Sequence, residues 1–130
     1  MRVLVAAVCL FSAAASAQTP PDLPPDLAPL PPAWVERGTA LLVGLDKVSA
    51  QTTKLTVPVG GTAQFAGLSI AVKSCLVRPP DQAPDSTAFL DIATPGNPGA
   101  PGFHGWMIAS APAVSEFEHP TLDVRLIGCQ

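Results

Sequence analysis

Charged residues are scarce in this sequence and follow no pattern. They make up 13% of the 130 residues, the formal net charge is −3, and the seven lysines and arginines are scattered. A protein that binds nucleic acid presents clustered basic side chains to the phosphates, because that electrostatic attraction supplies much of the affinity. We therefore expect no nucleic-acid partner.

Recognisable catalytic motifs are lacking as well. The sequence contains no Gly-x-Ser-x-Gly, no His-Glu-x-x-His and no glycine-rich phosphate loop, which are the short patterns tied to hydrolase, zinc and nucleotide chemistry. It has no Cys-x-x-Cys pair, and its two histidines are few for a zinc site. The sequence predicts no catalytic residue, no metal ligand set and no cofactor.

Long apolar runs are missing, apart from a short one at the N-terminus. Met1 and Arg2 precede an apolar run over residues 3–11, and small residues follow as far as Ala17. This order is typical of a signal peptide cleaved after Ala17. The run is shorter than the ~20 apolar residues that span a bilayer. We expect export to the periplasm and no membrane span in the mature chain.

Proline and glycine are abundant, with 16 and 10 residues. Half of residues 19–32 are prolines, which lack a backbone donor and favour the extended polyproline II form. We interpret residues 18–37 as a proline-rich arm that is disordered or extended. This arm serves either as a spacer or as a docking peptide for an aromatic-lined groove on a partner. Trp34 is expected to pin the arm to the surface of a single β domain at residues 38–130.

Short apolar or alternating segments, separated by turn residues, fill that domain. In residues 54–59, Leu55, Val57 and Val59 share one face. Similar runs predict strands at residues 62–65, 68–77, 87–92, 103–109 and 122–129, and residues 39–45 fit a strand or a short helical turn. Residues 110–120 are predicted to form a helix. The fold class is all-β: a small sandwich or partly open barrel of about six or seven short strands, with one short helix before the last strand.

Two cysteines, Cys75 and Cys129, remain once the signal peptide is removed. In an exported chain such a pair predicts a disulfide, because the compartment is oxidising. Strand alternation puts Cys75 on the face opposite Ile70 and Val72, and Cys129 on the face opposite Leu126. We therefore expect the disulfide on an outer face or near a sheet edge rather than in the core.

Six side chains are candidates for an interaction or functional surface: Arg78, His104, Trp106, Glu118, His119 and Asp123. Trp106 is either part of the core or a surface anchor, and Arg78 either pairs with a nearby aspartate or contacts a partner. His119 and the surrounding carboxylates, with Glu116 among them, would serve acid–base or metal chemistry only if they converged in space. Otherwise His119 closes the turn before the last strand and the carboxylates are solvated.

Several short motifs carry a resemblance to a known family. They lie between roughly residues 46 and 129 and comprise Ser74-Cys75 leading into Arg78-Pro79-Pro80, Gly105-Trp106-Met107, and Glu118-His119-Pro120 followed by Asp123-Val124 and Cys129. In these motifs the sequence resembles the small exported bacterial proteins catalogued as domain of unknown function 2155. The resemblance implies a periplasmic location in Gram-negative bacteria and a shared disulfide pair, and it brings no assigned reaction.

The function predicted from these observations is a non-enzymatic binding or scaffolding module of the cell envelope. Its partner would be another envelope protein, bound through the proline-rich arm or through the loop at residues 94–102, which is long and rich in turn residues. Two alternatives are a hydrolase or metal-dependent enzyme centred on His119 and a small-ligand-binding barrel.

Overall fold

Eight strands and one helical turn make up the described part of the chain. The computed structural model describes residues 34–130, so the predicted signal peptide and residues 18–33 of the arm lie outside it. The strands are Val35–Glu36 (β1), Thr39–Asp46 (β2), Gln51–Pro58 (β3), Thr62–Phe65 (β4), Leu68–Val77 (β5), Ser86–Ala93 (β6), Phe103–Ile108 (β7) and Leu122–Cys129 (β8). Within residues 34–130, no helix has the length and apolar character needed to cross a membrane.

The strands form two antiparallel sheets. In the larger sheet, β5 pairs on one side with β1 and β4 and on the other side with β6, which in turn pairs with β7. In the smaller sheet, β2 lies between β3 and β8. The all-β prediction is confirmed, and the described strands form two sheets rather than one closed barrel.

The core is built from alternate residues of the strands. Leu90 of β6 and Met107 of β7 are buried in the larger sheet, while Leu42 of β2 and Val124 of β8 are buried in the smaller sheet. These side chains belong to one contiguous apolar cluster. Full burial of such a side chain contributes about 1.5–3 kcal/mol, so the alternation of apolar residues in the sequence is what brings the two sheets together.

Cys75 and Cys129 form a disulfide that joins the two sheets. Cys75 is 1% exposed, Cys129 packs against the core, and their Cα atoms are 5.7 Å apart. The expected position on an outer face is wrong, because a bulge in each cysteine strand reverses the alternation. Lys73 is the extra residue in β5 and Ile127 is the extra residue in β8. Both cysteines therefore turn inward.

The helix before the last strand is much shorter than the sequence predicts. Only Pro112–Val114 forms a turn, of the 3-10 type. Val114 is 74% exposed whereas Phe117 is buried, so the two residues do not form a common apolar face. Without a buried face, so short a helix does not offset the cost of its nucleation.

The larger sheet begins earlier in the chain than the sequence indicates. Val35–Glu36 already pairs with Leu76 and Val77 of β5. The first sheet residues thus precede Gly38, where we place the start of the domain from sequence.

Candidate functional site

The outer face of the larger sheet carries three neighbouring ring side chains. Phe89 of β6 is the direct cross-strand partner of Trp106 in β7, and the next outward pair is Asp91 with His104. The Phe89 ring meets the Trp106 ring edge-on with 5.4 Å between centroids, and it meets the His104 ring in the same manner at 5.0 Å. We call Phe89, His104 and Trp106 the aromatic face.

Trp106 lies at the surface rather than in the core. It is 43% exposed, while the next residue, Met107, is 2% exposed and takes the inward position of the strand. The edge-on contact with Phe89 is a favourable aromatic geometry, worth about 0.5–1.5 kcal/mol. A large aromatic ring that is exposed and held in one orientation is the kind of side chain that anchors protein interfaces.

A groove adjoins the aromatic face and shares Trp106 with it. Its floor is a cross-strand row of Leu76, Thr87 and Ile108, which are direct partners across β5, β6 and β7. Trp34 and Trp106 complete its lining, and its volume is about 330 Å³. The hydroxyl of Thr87 donates a hydrogen bond to the backbone carbonyl oxygen of Met107 in the neighbouring strand. We call this feature the tryptophan groove.

Arg78 lies at the Trp34 end of the groove. Its guanidinium carbon is 4.3 Å from the centre of the Trp34 ring, a cation–π geometry. Its Nη1 atom also donates a hydrogen bond to Gln82 Oε1 at 3.1 Å. Of the two interpretations of Arg78, a direct ion pair with an aspartate does not occur among the described residues, and the guanidinium supports the orientation of Trp34 instead.

Asp85 connects the start of β6 to the chain that follows β7. Its carboxylate accepts hydrogen bonds from the Ser86 amide, the Ser110 amide and the Ser110 hydroxyl, at 2.8, 3.1 and 2.7 Å. Burial on its own raises the pKa of Asp85, but these hydrogen bonds, with a smaller effect of the Arg78 charge, lower the pKa below its ordinary value. The start of β6 and the chain after β7 are thereby fixed to each other beside the groove.

His104 and Asp91 form the exposed margin of the aromatic face. His104 Nδ1 lies 3.8 Å from Asp91 Oδ2, and the two side chains are 71% and 46% exposed. A pair this open to water is worth little to stability. It instead gives the aromatic face a polar edge, as is common around protein interfaces.

His119 closes the turn that leads into β8, as the sequence indicates. Its Nδ1 atom accepts hydrogen bonds from the backbone amides of Thr121 and Leu122 at 3.3 and 3.2 Å. Its ring stacks on Phe117 at 5.6 Å, and Lys47 donates a hydrogen bond to its carbonyl oxygen. These contacts give His119 a structural role at the end of the loop.

Glu116 and Glu118 line the same open hollow as His119, but neither carboxylate forms an ion pair with its ring among the described residues. Glu116 and Glu118 are exposed, in line with the expectation of solvated side chains. Asp123 differs, because it is 5% exposed and forms an ion pair with Arg125 at 2.8 Å. The loop around Pro112–Val114 lies beside Asp123, and both line a small, partly open cavity of about 160 Å³. Among residues 34–130, no three side chains of metal-ligating type are grouped for a metal ion.

The loop at residues 94–102 lies at the far end of the same hairpin. It follows the Ile92–Phe103 pair, whereas the groove begins at the Thr87–Ile108 pair. Five residues of strand separate the two positions, roughly 17 Å at about 3.4 Å per residue. The loop and the groove are therefore distinct surfaces, and the role predicted for the loop stays a prediction.

The six candidate residues divide into two groups. Arg78, His104 and Trp106 lie along the larger sheet, close to the groove and the aromatic face. The other three follow the 3-10 turn: Glu118 and His119 line one open hollow, and Asp123 lies outside it. Sequence reasoning missed Phe89, although the alternation of residues 87–92 puts it on the outward face.

Comparison with known proteins gives one match. A family model described as "Uncharacterized protein conserved in bacteria (DUF2155)" matches residues 40–129. No curated protein and no solved structure matches the chain. The matched range runs from β2 to the end of β8 and includes the disulfide and Trp106. The chain therefore belongs to the DUF2155 family of bacterial proteins.

Proposed function

We propose that this chain is an exported, non-enzymatic binding or scaffolding module of the bacterial cell envelope, and that it contacts an envelope protein through its aromatic face. Export is supported by the pattern of residues 1–17. A disulfide that joins the two sheets also supports it, because such bonds form and persist in oxidising compartments.

The observation that carries the binding proposal is the exposure of Trp106 beside a groove. Large contiguous apolar patches on a protein surface mark interaction sites, whereas single exposed apolar side chains are common. Here Trp106 is 43% exposed, Phe89 orients its ring, and Leu76 and Ile108 continue the apolar surface. Tryptophan and arginine are also enriched at binding hot spots, and Arg78 lies at the end of the same groove.

Affinity capture from chemically crosslinked cells tests the proposal. We compare the chain with Trp106→Ala, and with Ile127→Ala as a matched control, because Ile127 is 53% exposed on the other sheet. We expect Trp106→Ala to lose specific envelope proteins that the Ile127→Ala variant retains. Identical sets of captured proteins from both variants, at equal abundance, would contradict the proposal.

Two further variants test the surfaces predicted from sequence. One lacks residues 18–33, and the other replaces residues 94–102 with a short glycine and serine linker. If a variant loses a specific partner, the altered segment is part of the binding surface. If it retains every partner, the segment is not part of that surface.

A further inference from the structure

The floor of the tryptophan groove has the dimensions of a short extended peptide. Leu76, Thr87 and Ile108 form a row across three strands, which spans roughly 10 Å at a strand spacing of about 4.8 Å. Three residues of a polyproline II segment cover about 9 Å. Trp34, which precedes β1 beside β5, and Trp106 of β7 also line this surface, and aromatic side chains are what proline-rich segments pack against.

The hydrogen-bonding chemistry fits the same class of ligand. A polyproline II segment makes no internal hydrogen bonds, so its carbonyl oxygens need donors from outside. An indole N–H is a donor only, and Trp106, which is 43% exposed and lines the groove, carries one. The binding of a proline-rich segment also costs little conformational entropy, because proline already fixes the backbone dihedral φ.

This chain supplies a segment of that chemistry itself. Residues 19–32 contain seven prolines in fourteen positions, together with Asp22 and Asp26 and no lysine or arginine. The acidic side chains complement Arg78, the cation at the Trp34 end of the groove. The segment ends two positions before Trp34, so it joins the described part of the chain at the groove itself.

We infer that the tryptophan groove of one copy binds the proline-rich segment, residues 19–32, of a second copy of this chain. This inference rests on the proposed function, since it names the partner of the same surface. Fourteen residues in the polyproline II form reach about 43 Å, several times the length of the groove floor. Because each segment ends beside the groove of its own copy, reciprocal exchange between two copies closes the assembly as a symmetric dimer.

Sedimentation equilibrium of the exported chain gives the first test. We compare it with Trp106→Ala, with a segment variant carrying Pro20→Ala, Pro21→Ala, Pro24→Ala and Pro25→Ala, and with the Ile127→Ala control. We expect a dimer whose dissociation constant rises about tenfold or more in the first two variants, as for loss of a hot-spot contact, and stays unchanged in the control. A monomer at every concentration overturns the inference.

Mixing the two defective variants distinguishes exchange from other modes of association. The Trp106→Ala copy keeps an intact segment and the segment variant keeps an intact groove, so one exchanged contact survives in the mixture. We expect a mixed dimer that is weaker than the parent dimer and tighter than either variant alone. A mixture no tighter than its components overturns the exchange.

A synthetic peptide of residues 18–33 supplies a readout that does not depend on the dimer. Added in excess to the parent chain, it is expected to dissociate the dimer. Added to the variant that lacks residues 18–33, whose groove has no segment to bind, it is expected to shift the fluorescence of the two groove tryptophans, Trp34 and Trp106. A peptide without effect on either quantity contradicts the inference. If the chain is monomeric and yet Trp106→Ala loses other envelope proteins in cells, the inference fails while the proposed function stands.

Discussion

Trp106 lies directly opposite Phe89 on the outer face of the larger sheet, with the two rings at 84° to each other. Phe89 is itself half-buried, and its edge-on contact orients the more exposed ring of Trp106. A partner that binds Trp106 therefore meets a side chain whose orientation is already set, and less conformational entropy is lost on binding.

Trp106 and its neighbour in β7 should differ sharply in their effect on stability. Trp106→Ala removes an exposed ring and one aromatic contact, and we expect a loss of about 1 kcal/mol. Met107→Ala empties a buried position, where such truncations cost about 2–5 kcal/mol. Urea unfolding of both variants measures the difference. Equal losses would show that Trp106 serves packing rather than binding.

The disulfide between the sheets should account for a large share of the stability. In the chain-entropy description, a closed loop of this length contributes about 4 kcal/mol, and Cys75 and Cys129 are 54 positions apart. We expect the Cys75→Ala, Cys129→Ala double variant to unfold at a much lower urea concentration than the oxidised chain. Reduction of the parent chain provides the control, and an unfolding midpoint indifferent to reductant would argue against this role.

Stability should fall in acid partly through Asp85. Because hydrogen bonds outweigh burial and hold its folded pKa below the ordinary 3.8, the carboxylate stabilises the fold at pH above that value. This contribution disappears as the pH drops through the folded pKa. We expect Asp85→Asn to be less stable at neutral pH and to lose less stability on acidification. Unfolding curves at a series of pH values measure both effects.

Asp81→Asn serves as the control for Asp85→Asn. Asp81 is exposed and lies in the same loop as Asp85, but it forms no hydrogen bond with Ser110. This variant removes a carboxylate from the loop and leaves the hydrogen bonds between Asp85 and Ser110 in place, so an effect confined to Asp85→Asn belongs to those bonds. Parallel pH profiles for the parent chain and Asp85→Asn would contradict the role assigned to this carboxylate.

His119 should act on the turn before β8 and on nothing farther away. His119→Ala removes the acceptor of the Thr121 and Leu122 amides, and a lost hydrogen bond of this kind costs about 1 kcal/mol. We expect faster hydrogen exchange at these two amides and unchanged exchange across β6 and β7. If both amides of the variant were as well protected from hydrogen exchange as those of the parent chain, His119 would have no role in holding the turn.

The sequence predicts the fold class well because alternation and turn residues report directly on which residues are buried. It gives the wrong position for the cysteines, because one extra residue at a bulge, Lys73 or Ile127, reverses the alternation. The hydrophobic pattern of the sequence does not show where such a bulge lies. It also overestimates the helix, because the spacing of Val114 and Phe117 resembles a helical face although only Phe117 is buried.

The candidate site is only partly predictable for a related reason. The sequence identifies Trp106, His104 and Arg78 as residue types suited to a surface, but their grouping depends on pairing across β5, β6 and β7. Trp34 joins the groove through β1, a strand of two residues that carries no periodic signal. Only tertiary pairing brings these distant segments together.

A photocrosslinking side chain introduced in place of Trp106 tests the central claim most directly. The same photoreactive phenylalanine analogue at position 127 provides a matched control on the smaller sheet, where Ile127 is also exposed. On irradiation of living cells, we expect discrete crosslinked protein bands from position 106 and none of these bands from position 127. Equal crosslinking from both positions, or no crosslink from position 106, would contradict the account.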